Sequence, residues 1–199
     1  SGSTGQPKGT LVQHNHVGRL LSATAPLVQV DATDVWTLFH SLSFDFSVWE
    51  LWGELLAGGR LVVVPEATRR APSELAALLL EEQVTVLNQV PSAFWPLSQA
   101  VLGLAPQRLP LRYVIFGGEA LAFRRLQPWV ARFGATAPQL FNMYGITETT
   151  VHATYHAVQP AETAHDASLI GRPLPDLRLD ILDRAGQPCP VAVPGELYV

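Results

Sequence analysis

Strand-like and helix-like segments alternate along residues 34–144, and this alternation restricts the chain to few folds. Patterns typical of buried strands occur in DVWTLFHSL, RLVVVP, VTVLNQV, LRYVIFGGE and PQLFNMYG. Helical patterns separate them, in FSVWELWGELLAGG, SELAALLLEEQ, PSAFWPLSQAVLGL and AFRRLQPWVARFG. Such alternation favours an α/β fold, a doubly wound, largely parallel sheet with flanking helices, which we predict over residues 1–150. In residues 151–199, ATYHAV, LRLDILD and GELYV follow one another with little helix, so we predict the start of a β-rich C-terminal part.

The composition favours an ordinary soluble domain. The chain has 199 residues, of which 48% are hydrophobic, and that is enough for one core. The net charge of −4 gives no sign of nucleic-acid binding, and the single cysteine excludes an internal disulfide. No apolar run is long enough to span a membrane and no signal peptide is visible, so we expect a cytoplasmic protein with no membrane partner. The chain has no initiator methionine and ends in GELYV, so we expect a piece of a longer protein, truncated at both ends.

The first ten residues, SGSTGQPKGT, combine a freely turning backbone with donors for an anion. The glycines are Gly2, Gly5 and Gly9. The side-chain donors are Ser1, Ser3, Thr4, Thr10 and Lys8. A nest of N–H groups, hydroxyls and an ammonium suits a polyphosphate, although the P-loop pattern does not fit. A flexible linker has a similar composition, so the stretch alone leaves both interpretations open.

Polar and glycine residues collect where the predicted strands end. Asp45 follows the first strand, and Asn88 lies in the third. The runs GGE (117–119) and YGITE (144–148) follow the next two. Ligands of doubly wound sheets bind at the carboxyl ends of the strands. The sequence therefore predicts one site built from several loops.

Some of these residues also have purely local explanations. Asp45 stands where an N-cap would begin the helix at residue 46. Ser47 and Glu50 have the spacing of a capping box, which lessens the need for Asp45 as a cap. Tyr144 could instead be a half-buried aromatic residue of the core. The two glycines of GGE could instead form a tight turn between a strand and a helix.

Seven stretches match, in order, the motifs of one superfamily. SGSTGQPKG, FDFSVWE, NMYGITETT and GELYV resemble successive signatures of the adenylate-forming enzymes. VTVLNQVPSAF, LRYVIFGGEAL and IGRPLP fit the same family at the expected places. The chain is most similar to the amino-acid adenylation domains of nonribosomal peptide synthetases, which FDFSVWE favours over acyl-CoA ligases. This resemblance implies a partial adenylation (AMP-binding) domain over residues 1–199, equivalent to an incomplete N-terminal subdomain.

The resemblance implies a reaction and its cofactors. In this family an amino-acid carboxylate attacks the α-phosphorus of ATP with Mg²⁺ present and releases pyrophosphate. The aminoacyl adenylate then passes to the phosphopantetheine thiol of a peptidyl carrier protein, and a condensation domain is a further partner in the full-length synthetase. The implied catalytic residues are Lys8, Thr147 and Glu148, with Glu148 as the Mg²⁺ ligand. The implied nucleotide-binding residues are Ser1, Gly2, Ser3, Thr4, Gly5, Lys8, Gly9, Gly118, Glu119, Asn142, Tyr144, Gly145 and Thr147.

The same register implies a substrate pocket. Its side chains would come from Asp45, Phe46, Trp49, Asn88, Ile115, Gly117, Met143, Val151 and His152. Asp45 matches the aspartate that pairs with the α-ammonium group. The ordered set resembles that of threonine-activating domains, where Asn88 and His152 would bond the hydroxyl, and serine would be the minor substrate. As an alternative, Asn88 and His152 would bond only the protein itself.

Two other functions stay open. An acyl- or aryl-acid CoA ligase of the same superfamily would lack the ammonium-pairing aspartate, so Asp45 speaks against it. A non-catalytic nucleotide-binding module would not need Lys8, Thr147 and Glu148, all of which are present.

Overall fold

The computed structural model of the protein describes residues 9–104 and 109–199. Its helices are α1 (His14–Thr24), α2 (Phe46–Ala57), α3 (Glu66–Arg69), α4 (Pro72–Glu81), α5 (Pro91–Leu104) and α6 (Gln127–Phe133). Its strands are β1 (Val35–Leu38), β2 (Arg60–Val63), β3 (Val86–Gln89), β4 (Tyr113–Phe116), β5 (Gln139–Tyr144), β6 (Thr154–Ala157), β7 (Arg172–Pro173), β8 (Asp180–Leu182) and β9 (Glu196–Tyr198). Short 3₁₀ turns occupy Phe123–Leu126, Thr147–Thr149 and Pro160–Ala164.

The main sheet confirms the predicted α/β fold. Its seven strands run in the order β2-β1-β3-β4-β5-β6-β7. The pairings from β2 across to β5 are all parallel. The chain order reverses between β1 and β3, which is the kind of switch point where doubly wound sheets bind ligands.

Helices cover both faces of this sheet, because its strands are apolar on both sides. Val86 of β3 packs into one buried cluster with residues of α1 and α2. Leu87, the next residue, packs into a second cluster with residues of α4, α5 and α6. Successive side chains of a strand point to opposite faces, so near-continuous apolar runs such as VTVLNQV are typical of parallel strands with helices on each side. None of the described helices has the length and apolarity that crossing a membrane requires.

The C-terminal part extends the main sheet before it forms a sheet of its own. β6 pairs antiparallel with β5, and β7 pairs antiparallel with β6. β8 and β9 form a separate two-stranded antiparallel sheet. The division at residue 150 stays a prediction, and the first two strands after it lie on the main sheet.

One buried carboxylate in α2 makes stability depend on pH. Glu54 is 0% exposed, and its carboxylate oxygens have no side-chain hydrogen-bond partner among the described residues. Burial, followed by the negative charge of Asp34, raises the pKa of Glu54 from 4.5 to about 7. The folded chain therefore binds this proton more tightly than the unfolded chain, and stability falls as pH rises from about 4.5 to about 7.

We expect Glu54→Gln to stabilise the domain at pH 8 by on the order of 1 kcal/mol, and to change little at pH 5. Glutamine carries no charge to desolvate at either pH. Urea unfolding at the two pH values measures the difference, and Glu81→Gln, at an exposed position of α4, is the control. An equal effect of Glu54→Gln at both pH values would contradict the assignment.

Candidate active site

The loops at the carboxyl ends of β1, β3, β4 and β5 meet at one edge of the sheet, as predicted. Asp45 lies between β1 and α2, and Asn88 lies near the end of β3. Gly117 and Gly118 follow β4 directly, and Gly145 follows β5. Parallel strands bring these ends together although the residues are far apart in the chain.

A strained turn connects β5 to β6. After the 3₁₀ turn Thr147–Thr149, Thr150 and Val151 adopt φ angles of 61° and 68°. Positive φ is costly for residues with a side chain, and especially for a β-branched valine. Gly145 packs against this turn so closely that a Cβ atom there would lie 2.2 Å from the carbonyl oxygen of Val151. Close backbone contacts therefore hold the turn in place.

A small cavity of about 30 Å³ lies between this turn and the start of α2. Six of the nine predicted substrate residues line it: Asp45, Phe46, Gly117, Met143, Val151 and His152. Phe44 and Gly118 also line it, although the sequence did not assign them to the substrate pocket. The space holds roughly one water molecule, so any amino acid bound here would have to widen it.

The other three predicted substrate residues, Trp49, Asn88 and Ile115, are buried and belong to the same region of the core. The Trp49 indole N–H donates a hydrogen bond to Asn88 Oδ1 at 2.8 Å. The Trp49 ring also meets the His152 ring edge-on, with centroids 5.3 Å apart. Trp49 thus links Asn88 to His152, which lines the small cavity.

Two buried polar atoms in this group lack partners. Asn88 Nδ2 and His152 Nε2 have no hydrogen bond within the described parts of the chain. Burial lowers the pKa of His152 to about 3, so its ring is neutral near pH 7. Asn88 Oδ1 bonds the protein, whereas these two atoms have no described partner, so the choice between substrate bonding and protein bonding stays a prediction. Buried polar groups are rarely left unsatisfied, so each one calls for an explanation.

Asp45 occupies the N-cap position of α2 but does not cap it. Its side chain makes no capping hydrogen bond. Instead, Asp45 Oδ2 accepts a hydrogen bond from the Thr147 hydroxyl at 2.8 Å. The local explanation of Asp45 as a cap is therefore wrong.

The predicted capping box of Ser47 and Glu50 is also wrong. The Ser47 hydroxyl donates to the carbonyl of Phe44 at 2.7 Å. The fully buried Glu50 carboxylate accepts the backbone N–H groups of Phe39 and His40, which follow β1, at 3.2 and 3.0 Å. Glu50 thus fastens the chain after β1 to α2, and this contact helps to fix the loop that carries Asp45.

A larger cavity of about 520 Å³ adjoins the small one. It is lined by Gly118, Glu119, Ala120, Asn142, Met143, Tyr144, Gly145, Ile146, Ser168 and Ile170. Gly118, Met143 and Gly145 line both cavities, so the two spaces share a wall. Five predicted nucleotide residues lie here: Gly118, Glu119, Asn142, Tyr144 and Gly145.

The segment of Ser168 and Ile170 forms one wall of the larger cavity, although neither residue was predicted to belong to the site. The Asn142 side-chain amide donates to the carbonyl of Leu169 at 2.8 Å and holds this segment against β5. The IGRPLP motif, which begins at Ile170, was an available signal, but it did not indicate a contact with the site.

Glu119 is tied to a neighbouring helix. Its carboxylate accepts the Ser92 backbone N–H at 2.9 Å and the Ser92 hydroxyl at 2.8 Å. This pair of bonds satisfies a free N–H in the first turn of α5 and positions the loop after β4.

The remaining predicted residues concern phosphate and metal binding. Thr147 and Glu148 are exposed on the turn beside the small cavity. The described residues hold no group of three or more His, Cys, Asp or Glu side chains arranged for a metal ion. A single carboxylate such as that of Glu148 suits Mg²⁺, which commonly takes one or two protein carboxylates and fills its shell with phosphate oxygens and water.

Of the predicted phosphate-loop residues, Gly9 is described and is exposed. The phosphate-loop predictions for Ser1, Gly2, Ser3, Thr4, Gly5 and Lys8 lie outside the described residues.

Sequence comparison relates the chain to known synthetases. It is 53% identical over 205 residues to a dimodular nonribosomal peptide synthase of Bacillus subtilis (strain 168), covering 100% of this chain and 8% of that protein. It is 50% identical over 202 residues to the syringomycin synthase SyrB1 of Pseudomonas syringae pv. syringae, covering 100% of this chain and 32% of that protein. The chain thus spans a third or less of these relatives.

Structural comparison gives the same relationship. The fold matches the crystal structure of the Vibrio cholerae adenylation domain AlmE in complex with glycyl-adenosine-5'-phosphate, with a TM-score of 0.84 and 31% identity. This match covers 99% of the present chain and 37% of the AlmE chain. The family of AMP-binding enzymes matches residues 1–199. The chain therefore belongs to the AMP-binding enzymes and, among them, to the adenylation domains of nonribosomal peptide synthetases.

Proposed function

We propose that the full protein carrying this chain activates an amino acid with ATP, forms the aminoacyl adenylate and releases pyrophosphate. Its product would pass to the phosphopantetheine thiol of a carrier protein, with a condensation domain as the next partner. The adjoining small and larger cavities support this proposal, because they offer neighbouring places for the amino acid and the nucleotide. The similarity to AlmE, whose crystal structure holds an aminoacyl adenylate, supports the same arrangement.

Each side of the site has a distinct task in this proposal. Asp45 pairs with the α-ammonium group of the amino acid at the small cavity. Tyr144 lies against the nucleotide in the larger cavity, and the Thr147 hydroxyl donates to a phosphate oxygen. Glu148 would hold Mg²⁺, which supplies positive charge that neutralises the phosphates. Transfer at phosphorus depends mainly on such positioning and charge neutralisation.

We further propose threonine as the preferred amino acid, and the unsatisfied atoms Asn88 Nδ2 and His152 Nε2 carry this proposal. Asn88 Nδ2 donates to a substrate hydroxyl. A neutral His152 ring with its proton on Nδ1 accepts the hydroxyl hydrogen at Nε2. Met143 and Val151, which line the same small cavity, contact the substrate methyl group.

The hydrogen bonds of Asn88 Nδ2 and His152 Nε2 with the substrate hydroxyl determine the expected order of substrate preference. Valine has the shape of threonine but leaves both polar atoms unpaired, at a cost of roughly 1–3 kcal/mol. This corresponds to about tenfold discrimination or more. Serine keeps the hydroxyl and loses only the methyl contact, so it is the expected minor substrate.

Amino-acid-dependent ATP–pyrophosphate exchange by the full-length protein tests the proposal. We expect threonine to be activated best, serine less well, and valine at least about tenfold less efficiently than threonine. Faster activation of valine or of an aromatic amino acid would refute the threonine assignment. Exchange that depends on an acid without an amino group would refute amino-acid activation itself.

A pair of variants tests the role of the unsatisfied atoms. Asn88→Leu removes the amide beside Trp49, and the threonine-over-valine ratio should fall by about tenfold. Gln89→Met is the matched control, because it also removes a fully buried amide from β3, and strand alternation points it to the opposite face. The control should leave the ratio unchanged even where it lowers stability.

A further inference from the structure

A hydrogen bond joins the amino-acid side of the site to the nucleotide side. The Thr147 hydroxyl donates to Asp45 Oδ2 at 2.8 Å, although the two residues are 102 positions apart in the chain. Asp45 belongs to the loop before α2, and Thr147 to the turn after β5. No other hydrogen bond to the Asp45 carboxylate is present in the described parts of the chain.

This bond joins the two groups that the proposed function assigns to different ligands. A hydroxyl has one hydrogen, so Thr147 donates either to Asp45 or to a phosphate oxygen, but not to both at once. Asp45 has acceptor positions to spare, because only its Oδ2 is bonded, but an α-ammonium group paired with the carboxylate would neutralise the charge that strengthens the bond from Thr147. The two ligands therefore act on the same hydrogen bond from opposite ends.

We infer that the Asp45–Thr147 hydrogen bond couples the binding of the amino acid to the binding of the ATP phosphates. When the ammonium group pairs with Asp45, the bond from Thr147 weakens and the hydroxyl is transferred to a phosphate at a lower cost. When a phosphate takes the Thr147 hydrogen, the Asp45 carboxylate loses a donor and binds the ammonium group more strongly. Each ligand therefore removes a cost that the other would otherwise meet, and by linkage the gain in affinity is the same in both directions. The inference rests on the proposed function, because that function assigns one ligand to each residue.

Calorimetric binding to the full-length protein measures the coupling. The nucleotide is α,β-methylene-ATP with Mg²⁺, in which the α–β linkage resists transfer, so binding is observed without reaction. We expect this analogue to bind at least about fivefold more tightly when threonine is saturating, and threonine to bind more tightly by the same factor when the analogue is saturating.

Variants of the turn separate the hydrogen bond from other causes. Thr147→Val keeps the shape of the side chain and removes the hydroxyl. The ratio of the affinity for the analogue with saturating threonine to the affinity without threonine should therefore fall close to one. Thr147→Ser keeps the hydroxyl and should restore the ratio. Thr149→Val is the matched control, because the Thr149 hydroxyl lies in the same turn but bonds the backbone of Ile146 at 2.9 and 3.1 Å. It should retain the ratio whatever its effect on either single affinity.

Three outcomes decide the matter. A ratio close to one in the wild-type protein, or an unchanged ratio in Thr147→Val, overturns the coupling. Loss of the ratio in Thr149→Val as well as in Thr147→Val also overturns it, because the turn as a whole would then be responsible. These failures are distinct from failure of the proposed function, which would appear as the absence of any amino-acid-dependent pyrophosphate exchange. If threonine fails but another amino acid supports exchange, that amino acid takes its place in the binding experiment.

Discussion

Replacing Gly145 with alanine is expected to reduce amino-acid activation by about 100-fold or more. The added Cβ atom would lie 2.2 Å from the Val151 carbonyl oxygen and 2.8 Å from the His152 Cα atom. Both are backbone atoms, so the clash is relieved only if the turn from residue 146 to residue 152 shifts. That turn carries Thr147, Glu148 and His152, and a displacement of about 1 Å in a positioning element can cost two orders of magnitude in rate.

Pyrophosphate exchange with threonine measures this loss, and thermal unfolding shows whether the domain remains folded. Gly18→Ala is the control, because Gly18 is an exposed residue inside α1 where a Cβ atom would meet nothing within 4 Å. That substitution should leave exchange intact and favours the helix by up to about 1 kcal/mol. Full activity in Gly145→Ala would show that the site tolerates movement of the turn.

Replacing Asp45 with asparagine is expected to lower kcat/KM for the amino acid by about 100-fold. The substitution keeps the size of the side chain but removes the negative charge that faces the α-ammonium group. Loss of one partner from a buried charged pair costs roughly 2–5 kcal/mol, and the half-buried position of Asp45 favours the lower end of that range, which corresponds to this factor.

Exchange rates over a range of threonine concentrations give kcat/KM for each protein. Glu66→Gln is the control, since it removes a carboxylate that is exposed in α3 and pairs only with Arg70 in the described structure. It should behave as the wild-type protein does. An unchanged kcat/KM in Asp45→Asn would show that Asp45 does not bind the α-ammonium group.

The main sheet was predictable because its inner strands β1, β3 and β4 are largely apolar and buried on both faces. VTVLNQV contributes to one core cluster through Val86 and to the other through Leu87, so its near-continuous apolar pattern corresponds to two helical layers. The loops of the site were predictable for a related reason: once the strands are parallel, their carboxyl ends must share an edge.

The failed predictions concern side chains with distant partners. Ser47 and Glu50 have the spacing of a capping box, but Glu50 reaches the backbone of residues 39 and 40 instead. Capping rules consider only neighbours within one helical turn, so they cannot anticipate a contact with the loop that precedes the helix. Ser168 and Ile170 were missed for the same reason, because Asn142 holds their segment from 27 positions earlier.

Backbone strain at the site was also invisible in the sequence. Positive φ angles usually point to glycine or asparagine, whereas here they occur at Thr150 and Val151. Packing of Gly145 against this turn and the pairing of β5 with β6 constrain the backbone there. Tertiary contacts of this kind override local preference most often at functional sites.

The arrangement of the site across one sheet limits how its specificity can be exchanged between proteins. The small cavity draws on the loop before α2, the loop after β4 and the turn after β5, and Asn88 stands behind it on β3. A recombination event that transfers a single loop would separate Asp45 from Thr147, or Trp49 from Asn88, and each half would meet an unmatched partner. Under the proposed function, moving a substrate preference from one protein to another would therefore require the continuous stretch from Phe44 to His152 rather than a single loop.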